Sequence, residues 1–134
     1  MSGLVLKLAP HERVLVNGAA IENGERRSRL TILTPGTNVL RLRDALRPEE
    51  ANTPVRRLCY AAQLILSGDS DAGEMRLKLL RGIEQLGQAL TDADSRRALV
   101  EASEAVVSDR HYQALKILRS LLPREERLLA GMSP

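Results

Sequence analysis

Two Asn-Gly pairs, Asn17-Gly18 and Asn23-Gly24, stand between short apolar runs near the start of the chain. Asn and Gly both accept positive φ angles, which the two-residue turns of β-hairpins require. Turns this close together leave room for only one very short strand between them. The pairs therefore predict two tight turns around a short strand, and three arginines, Arg26, Arg27 and Arg29, follow where the second turn enters the next strand.

The segment 1–47 contains five short runs of strand-forming residues, separated by Gly, Pro and Asn. They cover residues 4–8, 13–16, 19–22, 29–34 and 39–43. In the last run Leu40 and Leu42 alternate with Arg41 and Arg43, so a period of two places the leucines inside and the arginines outside. Five such strands predict a small antiparallel meander or open barrel.

From residue 48 onward, apolar residues recur at the three- and four-residue spacing of amphipathic helices. Thr53 and Pro54 suit an N-cap and a first helical position, and Gly68 ends the first apolar series. Gly82 and Gly87 interrupt the second predicted helix at a cost of about 1 kcal/mol each, which indicates close helix contacts there. About four helices are predicted, with the segment 124–134 left as a further turn or a tail.

These patterns together predict an α+β protein in two parts. A small N-terminal antiparallel β-sheet or open barrel covers residues 1–47, and a C-terminal bundle of about four helices covers residues 48–134. The segment 1–47, here the β part, holds eight basic and four acidic side chains, whereas the remainder, the helical part, holds twelve and thirteen. The excess positive charge therefore belongs to the β part, which permits nucleic-acid binding without requiring it.

The composition argues against several classes of protein. The chain has no Phe or Trp and only two Tyr, which leaves little for stacking bases on aromatic side chains. Cys59 is the only cysteine, so no intramolecular disulfide forms, and we expect a small buried side chain there. No basic leader precedes an apolar run, and no run approaches the ~20 residues of a membrane span. We therefore expect a soluble, cytoplasmic protein without membrane association.

Signatures of catalysis and of metal binding are missing from the sequence. The two histidines, His11 and His111, lie in different parts of the chain, and one cysteine is too few for a structural zinc site. Adjacent carboxylates such as Glu49 and Glu50 point about 100° apart on a helix, which is typical of solvated surface rather than of an acid–base pair. We therefore expect no enzyme activity, no metal and no cofactor.

Arginines of the β part are the candidates for contacting RNA. A guanidinium group matches phosphate geometry bidentately and also stacks on bases. The candidates are Arg26, Arg27, Arg29, Arg41 and Arg43. If the strands that carry them pair, the two groups form one ridge. The alternative, which the residue types alone favour, is a solvated face whose arginines protect the edges of the sheet.

Three residues of the helical part, Arg56, Arg57 and Tyr112, are candidates for contacting a protein partner. Arg56 and Arg57 lie on the polar face of the first predicted helix, close in sequence to the junction of the two parts. The alternative for this pair is an ordinary solvated helix face. For Tyr112 the alternative is a partly buried ring whose hydroxyl reaches the surface.

Three motifs in their order along the chain resemble the FlbT flagellar regulators of alphaproteobacteria. They are KLAPHERVLVNGAAIENGERR at 7–27, TPVRRLCYAAQ at 53–63 and DRHYQALK at 109–116. The first is the most specific, because turn residues, an apolar strand and the arginine pair occur in order. In the third, Arg110-His111 stands where a small residue or a second aromatic is expected, so no role is transferred to that pair. The resemblance extends from about residue 4 to 122.

The resemblance implies an RNA-associated regulator that acts at the 5′ untranslated region of flagellin mRNA and lowers translation or stability of that message. For some relatives the resemblance implies a positive effect instead. The resemblance also implies a FlaF-like protein partner, with the β-part arginines holding the mRNA leader and the helical part serving the partner. The alternative is an adaptor that binds a flagellin-associated protein and affects the message only indirectly. Exposed sheet edges also allow a homodimer.

Overall fold

A computed structural model describes residues 3–68 and 71–132. Five strands come first: β1 Leu4–Leu8, β2 Arg13–Val16, β3 Ala19–Glu22, β4 Ser28–Ile32 and β5 Val39–Arg41. Five helices follow: α1 Pro54–Ser67, α2 Ala72–Ala89, α3 Ala93–Val107, α4 His111–Arg119 and α5 Leu122–Met132. Short 3-10 turns at Leu42–Asp44 and Pro48–Glu50 join the two series. The predicted α+β class is confirmed, and residues 124–132 of the segment left open in the sequence belong to α5.

The strands form two antiparallel sheets, β1–β4 and β3–β2–β5, within the described residues. Antiparallel pairing was expected, but the meander order is wrong, because only β2 and β3 are neighbours both in sequence and in a sheet. β1 pairs with β4 from Leu4↔Ile32 to Leu8↔Ser28. This long-range pairing brings the start of the chain against the segment that follows the arginine cluster.

The first Asn-Gly pair makes the predicted hairpin turn. Asn17 and Gly18 have φ angles of 49° and 83°, and Val16 pairs with Ala19 across the two-residue loop. The second pair does not make a turn, because neither Asn23 nor Gly24 has a positive φ. The Asn23 side chain instead donates to the carbonyl oxygens of Ala9, at 2.8 Å, and Arg26, at 2.9 Å. The chain therefore crosses from one sheet to the other at this point.

The predicted alternation over residues 39–43 is wrong at Arg41 and Leu42, whereas Arg43 is exposed as predicted. Arg41 is buried, whereas Leu42 is 39% exposed. The strand ends at Arg41, and the N–H of Ala45 donates to the carbonyl of Leu42 to close a 3-10 turn. The period of two is lost because the strand stops, and a buried carboxylate holds the Arg41 side chain inside.

Helix α1 has the predicted ends. The Thr53 hydroxyl oxygen accepts a hydrogen bond from the N–H of Arg56, Pro54 is the first helical residue, and Gly68 adopts a φ of 79° after the last turn. The buried carboxylate of Glu125 on α5 accepts from the Thr53 hydroxyl and from the N–H of Val55, the latter at 2.8 Å. These hydrogen bonds attach α5 to the N-terminus of α1.

One hydrophobic core joins the strands to the helices. The strands contribute Leu6, Leu8, Val14, Val39 and Leu40, and the helices contribute residues such as Val55, Leu66, Leu79, Val106 and Leu118. Helix α4 packs against both α1 and α3, and β5 packs against α1. Because β5 reaches this core beside the helices, Arg41 and the turn after it lie at the junction of the two parts.

The predicted close contact at Gly82 is present. A Cβ atom on Gly82 would lie 2.3 Å from Cδ2 of Leu58 on α1, whereas one on Gly87 would lie 3.9 Å from Cδ1 of Leu99, an ordinary contact. The absence of a side chain at Gly82 therefore sets how closely α2 approaches α1.

Alanine at these two glycines is expected to have opposite effects. Overpacking costs roughly 1–3 kcal/mol, whereas replacing a helical glycine by alanine gains about 1 kcal/mol. Gly82→Ala should therefore lower the free energy of unfolding, and Gly87→Ala should leave it equal or raise it. Urea unfolding of both variants measures the difference. Equal stability of the two variants would contradict the packing of α2 on α1.

Candidate nucleic-acid interface

A groove of about 760 Å³ lies between the β1–β4 sheet and helix α4. We call it the basic groove. The residues that line it are Val5, Lys7, Leu8, Ala9, Arg27, Ser28, Arg29, Arg41, Arg43, Tyr112 and Lys116. Six of these side chains are cationic, and none of the described lining residues is acidic. Such a concentration of one charge in a concave surface attracts anions.

The alternation of β1 places Lys7 at the groove. Leu6 and Leu8 are buried in the core, whereas Lys7 between them is exposed. Lys7 is paired in register with Arg29 of β4. Side chains directly opposite each other in an antiparallel pair lie on the same face, about 4.5–5.5 Å apart at Cβ. The two cations are therefore neighbours because of the strand register, although they stand 22 positions apart in sequence.

Arg41 forms a bidentate ion pair with Glu12 beneath the groove. Its Nε and Nη2 donate to Oε2 and Oε1 of Glu12, at 2.7 and 2.8 Å, and Nη2 also donates to the carbonyl oxygen of Lys7. Both side chains are more than nine-tenths buried. The Arg41 guanidinium lowers the pKa of Glu12 to about 2, against the opposing effect of burial. Arg41 thus joins β5 to β1 and to the β1–β2 connection.

Tyr112 and Lys116 bring helix α4 to this ion pair. Tyr112 is 6% exposed, and Nζ of Lys116 lies 5.6 Å from the centroid of its ring, a cation–π distance. Glu12 is the main cause that raises the pKa of Arg41, and the nearby Tyr112 side chain adds to it. Arg41, Tyr112 and Lys116 therefore lie together where the β part meets α4.

The structure brings together only some of the arginines predicted to contact RNA. Arg27, Arg29 and Arg43 are exposed and line the basic groove. Arg26 is exposed but is not among the lining residues. The outward orientation predicted for Arg41 is wrong, because its guanidinium is engaged by Glu12 in the interior.

The single ridge expected from pairing of the arginine-bearing strands does not form in the predicted way. β4 pairs with β1, and β5 pairs with β2. Arg29 and Arg43 share the basic groove because the two sheets meet there, and not through a shared ladder.

Sequence reasoning missed two cations of the basic groove, Lys7 and Lys116. The alternation Leu6-Lys7-Leu8 marked Lys7 as outward-facing, but nothing local indicated that β1 would pair with β4. Lys116 follows Tyr112 by four positions, which places both on one face of a helix. That spacing was a usable signal for Lys116 once Tyr112 had been singled out.

The residues predicted to contact a protein partner lie in different surroundings. The Arg56 guanidinium donates to Asn52 Oδ1 at 3.2 Å and lies 3.5 Å from the Glu126 carboxylate. Arg57 lines a cavity of about 290 Å³ between α1 and α2. Tyr112 belongs to the basic groove instead. The structure thus assigns the three residues no common surface.

Other reactive side chains are enclosed in the core. Cys59 is buried, as predicted, and burial raises the pKa of its thiol to about 12, so the thiolate that reacts with electrophiles hardly forms. Burial likewise lowers the pKa of His111, whose Nε2 lies 3.4 Å from the carboxylate of Asp109. No group of three His, Cys, Asp or Glu side chains that could hold a metal occurs within 3–68 and 71–132.

The Glu12 ion pair is expected to make stability depend on pH in the acid range. The folded-state pKa of about 2 lies below the ordinary value of 4.5, so the stabilisation is present above 4.5 and is lost as the pH falls towards 2. Urea midpoints of the wild type and Glu12→Gln should therefore differ at pH 6 and converge between pH 4.5 and 2. A difference that stays constant across this range would contradict the assignment.

The fold and the groove define a small α+β protein whose strands and helices meet at a cation-lined surface. The chain belongs to the FlbT family: residues 4–129 match the family described as flagellar protein FlbT. The membership indicated by the three sequence motifs is thereby confirmed, and the match extends into α5.

Named relatives agree with this membership over most of their length. The chain is 31% identical to a probable flagellum biosynthesis repressor protein FlbT of Caulobacter sp. (strain K31), with 97% of this chain and 98% of the relative covered. It is 32% identical to the protein of the same name in Mesorhizobium japonicum, with 96% and 86% covered. It is 35% identical to FlbT 1 of Bradyrhizobium diazoefficiens, with 93% and 84% covered.

Two further findings concern solved structures and membrane spans. No solved structure matches the chain. Across the described ranges, every helix is too short or too polar to cross a lipid bilayer.

Proposed function

We propose that this chain represses flagellum biosynthesis by binding the 5′ untranslated leader of flagellin mRNA in its basic groove. Two lines support the proposal. Relatives alike over most of their length carry the name of flagellum biosynthesis repressors. The groove is the main support for the proposal. Its concave surface contains exposed cations from β1, β4 with the residue before it, the turn after β5 and α4.

The cations of the groove differ in how free they are to bind phosphate. Lys7, Arg27, Arg29 and Lys116 are exposed, and the Arg43 side chain is 57% exposed although it lies 3.8 Å from Glu12. Arg41 is held by Glu12 and is a positioning residue: it fixes β5 and the turn that carries Arg43 against β1. Phosphate binding therefore falls to the five other cations.

Occupation of the leader explains repression by simple competition. A protein held on the phosphates near the ribosome-binding region would block initiation, and a leader with altered folding would be open to nucleases. The helical part would then present a surface to a FlaF-like partner that reports the state of assembly.

A titration of purified protein against the flagellin leader at several salt concentrations tests the proposal. Each neutralised phosphate of a single strand contributes about 0.7 to the slope of log affinity against log salt, so five such phosphates predict a slope of roughly −3 to −4. An unrelated RNA of equal length serves as the control. Absence of affinity for either RNA at physiological salt would reject direct binding.

A specific observation favours a second candidate, a protein adaptor for a flagellin-associated partner. Leu77 on α2 and Val100 and Val107 on α3 are apolar side chains that are more than half exposed. Exposed apolar side chains that form a contiguous patch are typical of interaction surfaces. Capture of a FlaF-like protein without any RNA affinity would favour this adaptor function.

A further inference from the structure

The basic groove is short, and it is bounded by the β1–β4 sheet on one side and by helix α4 on the other. β1, on the sheet side, is five residues long, and α4, on the helix side, is nine residues long. Exposed cations come from both sides: Lys7, Arg27 and Arg29 from the sheet, and Lys116 from the helix. A ligand in the groove is therefore contacted on two sides over a short stretch of its length.

One edge of β1 faces this groove without a neighbouring strand. Among the described strands, β1 pairs with β4 alone. At the other edge the carbonyl oxygen of Lys7 already accepts from the Arg41 guanidinium, so a ligand is left with the remaining backbone groups of this edge beside Val5 and Lys7, which line the groove. Residues that alternate along a strand direct their backbone groups to the same edge. An edge strand presents backbone N–H and C=O groups, and these can form hydrogen bonds with the donors and acceptors of a ligand.

The groove offers bases hydrogen bonds rather than an aromatic surface. Tyr112 is its only aromatic lining residue within the described ranges, and it is buried beneath Lys116 and beside Arg41. Stacking on this ring is therefore blocked. The edge of β1 is the nearest source of neutral donors and acceptors, and it can meet the Watson–Crick edge of a base only if that base is unpaired.

Duplex RNA fits this surface poorly. It is typically bound by shape along about 16 base pairs, with contacts to successive minor grooves and the phosphates between them. A groove of about 760 Å³ bounded by a five-residue strand and a nine-residue helix does not extend that far. We infer that the basic groove takes an unpaired stretch of RNA, with phosphates on the cations and base edges on β1. The inference rests on the proposed RNA-binding function.

Fluorescence anisotropy with the full chain tests this inference directly. The probes are a labelled RNA of about twelve nucleotides from an unpaired stretch of the flagellin leader, and the same RNA annealed to its complement. Annealing is expected to weaken binding at least about tenfold. Duplex binding that equals or exceeds single-strand binding would overturn the inference while leaving the proposed function in place. Binding of neither probe would overturn both.

A double variant tests whether the basic groove is the site that distinguishes single-stranded from duplex RNA. Arg27→Ala combined with Arg29→Ala removes two exposed cations from the sheet side, and both side chains are exposed, so the fold should persist. The ratio of single-strand to duplex affinity is expected to fall towards one in this variant. An unchanged ratio, with circular dichroism showing an intact fold, would contradict the assignment of the unpaired strand to this groove.

Discussion

Arg41→Ala is expected to lower the free energy of unfolding by about 3–5 kcal/mol, the usual cost of removing one partner of a buried ion pair. The side chains of Arg41 and Glu12 are 9% and 6% exposed, so the remaining carboxylate would be left without its counter-charge in the interior. The variant also removes the hydrogen bond to the carbonyl of Lys7, which ties β5 to β1. Urea unfolding followed by circular dichroism measures the change.

Arg43→Ala is the matched control, because Arg43 stands two positions further along and approaches the same carboxylate. Its Nε is 3.8 Å from Oε2 of Glu12, and its side chain is 57% exposed. Exposed ion pairs contribute about 0–1 kcal/mol, so this variant should remain close to the wild type. Similar losses of stability in the two variants would contradict a structural role specific to Arg41.

The double variant Arg27→Ala, Arg29→Ala is expected to weaken binding of the flagellin leader by more than about 100-fold. Each charge-assisted hydrogen bond to phosphate contributes about 1.5–3 kcal/mol, and about 1.4 kcal/mol corresponds to a tenfold change in affinity. The salt dependence should also flatten, by about 0.7 in slope for each phosphate that the variant no longer neutralises. Anisotropy titrations at several salt concentrations measure both effects.

A control for charge alone uses two arginines outside the groove. Arg81 on α2 and Arg97 on α3 are exposed, and their replacement by alanine changes the net charge by the same amount. This control should reduce affinity far less than the groove variant. Equal reductions in RNA affinity for the two variants would show that affinity depends on net charge alone. That result would contradict the assignment of RNA to the groove.

Features set by local chemistry were predictable from the sequence. The hairpin at Asn17-Gly18, the capped start of α1 at Thr53 and its end at Gly68 follow from the conformations those residues prefer. The close approach at Gly82 followed from the cost of a helical glycine, and the structure shows the Leu58 side chain that requires it.

Features set by long-range pairing were not predictable in this way. Asn23-Gly24 has the same residue types as the first pair, but the Asn23 side chain donates to the backbone carbonyl of Ala9. The chain therefore continues from one sheet to the other here and does not form a hairpin turn. The alternation of the strand predicted an outward Arg41. Its ion pair with Glu12, 29 residues away in sequence, places the side chain in the interior instead. The groove itself depends on the long-range pairing of β1 with β4, which no local pattern encodes.

NMR mapping of backbone amides during a titration with the unpaired leader RNA tests the central claim most directly. If the basic groove is the RNA site, the shifted resonances will belong to β1, to β4 with the segment that precedes it, and to the part of α4 around Tyr112 and Lys116. The amides of α2 and α3 around Arg81 and Arg97 provide the internal reference, and their resonances should not shift. Shifts confined to α2 and α3, or a spectrum unchanged by saturating RNA, would contradict the account.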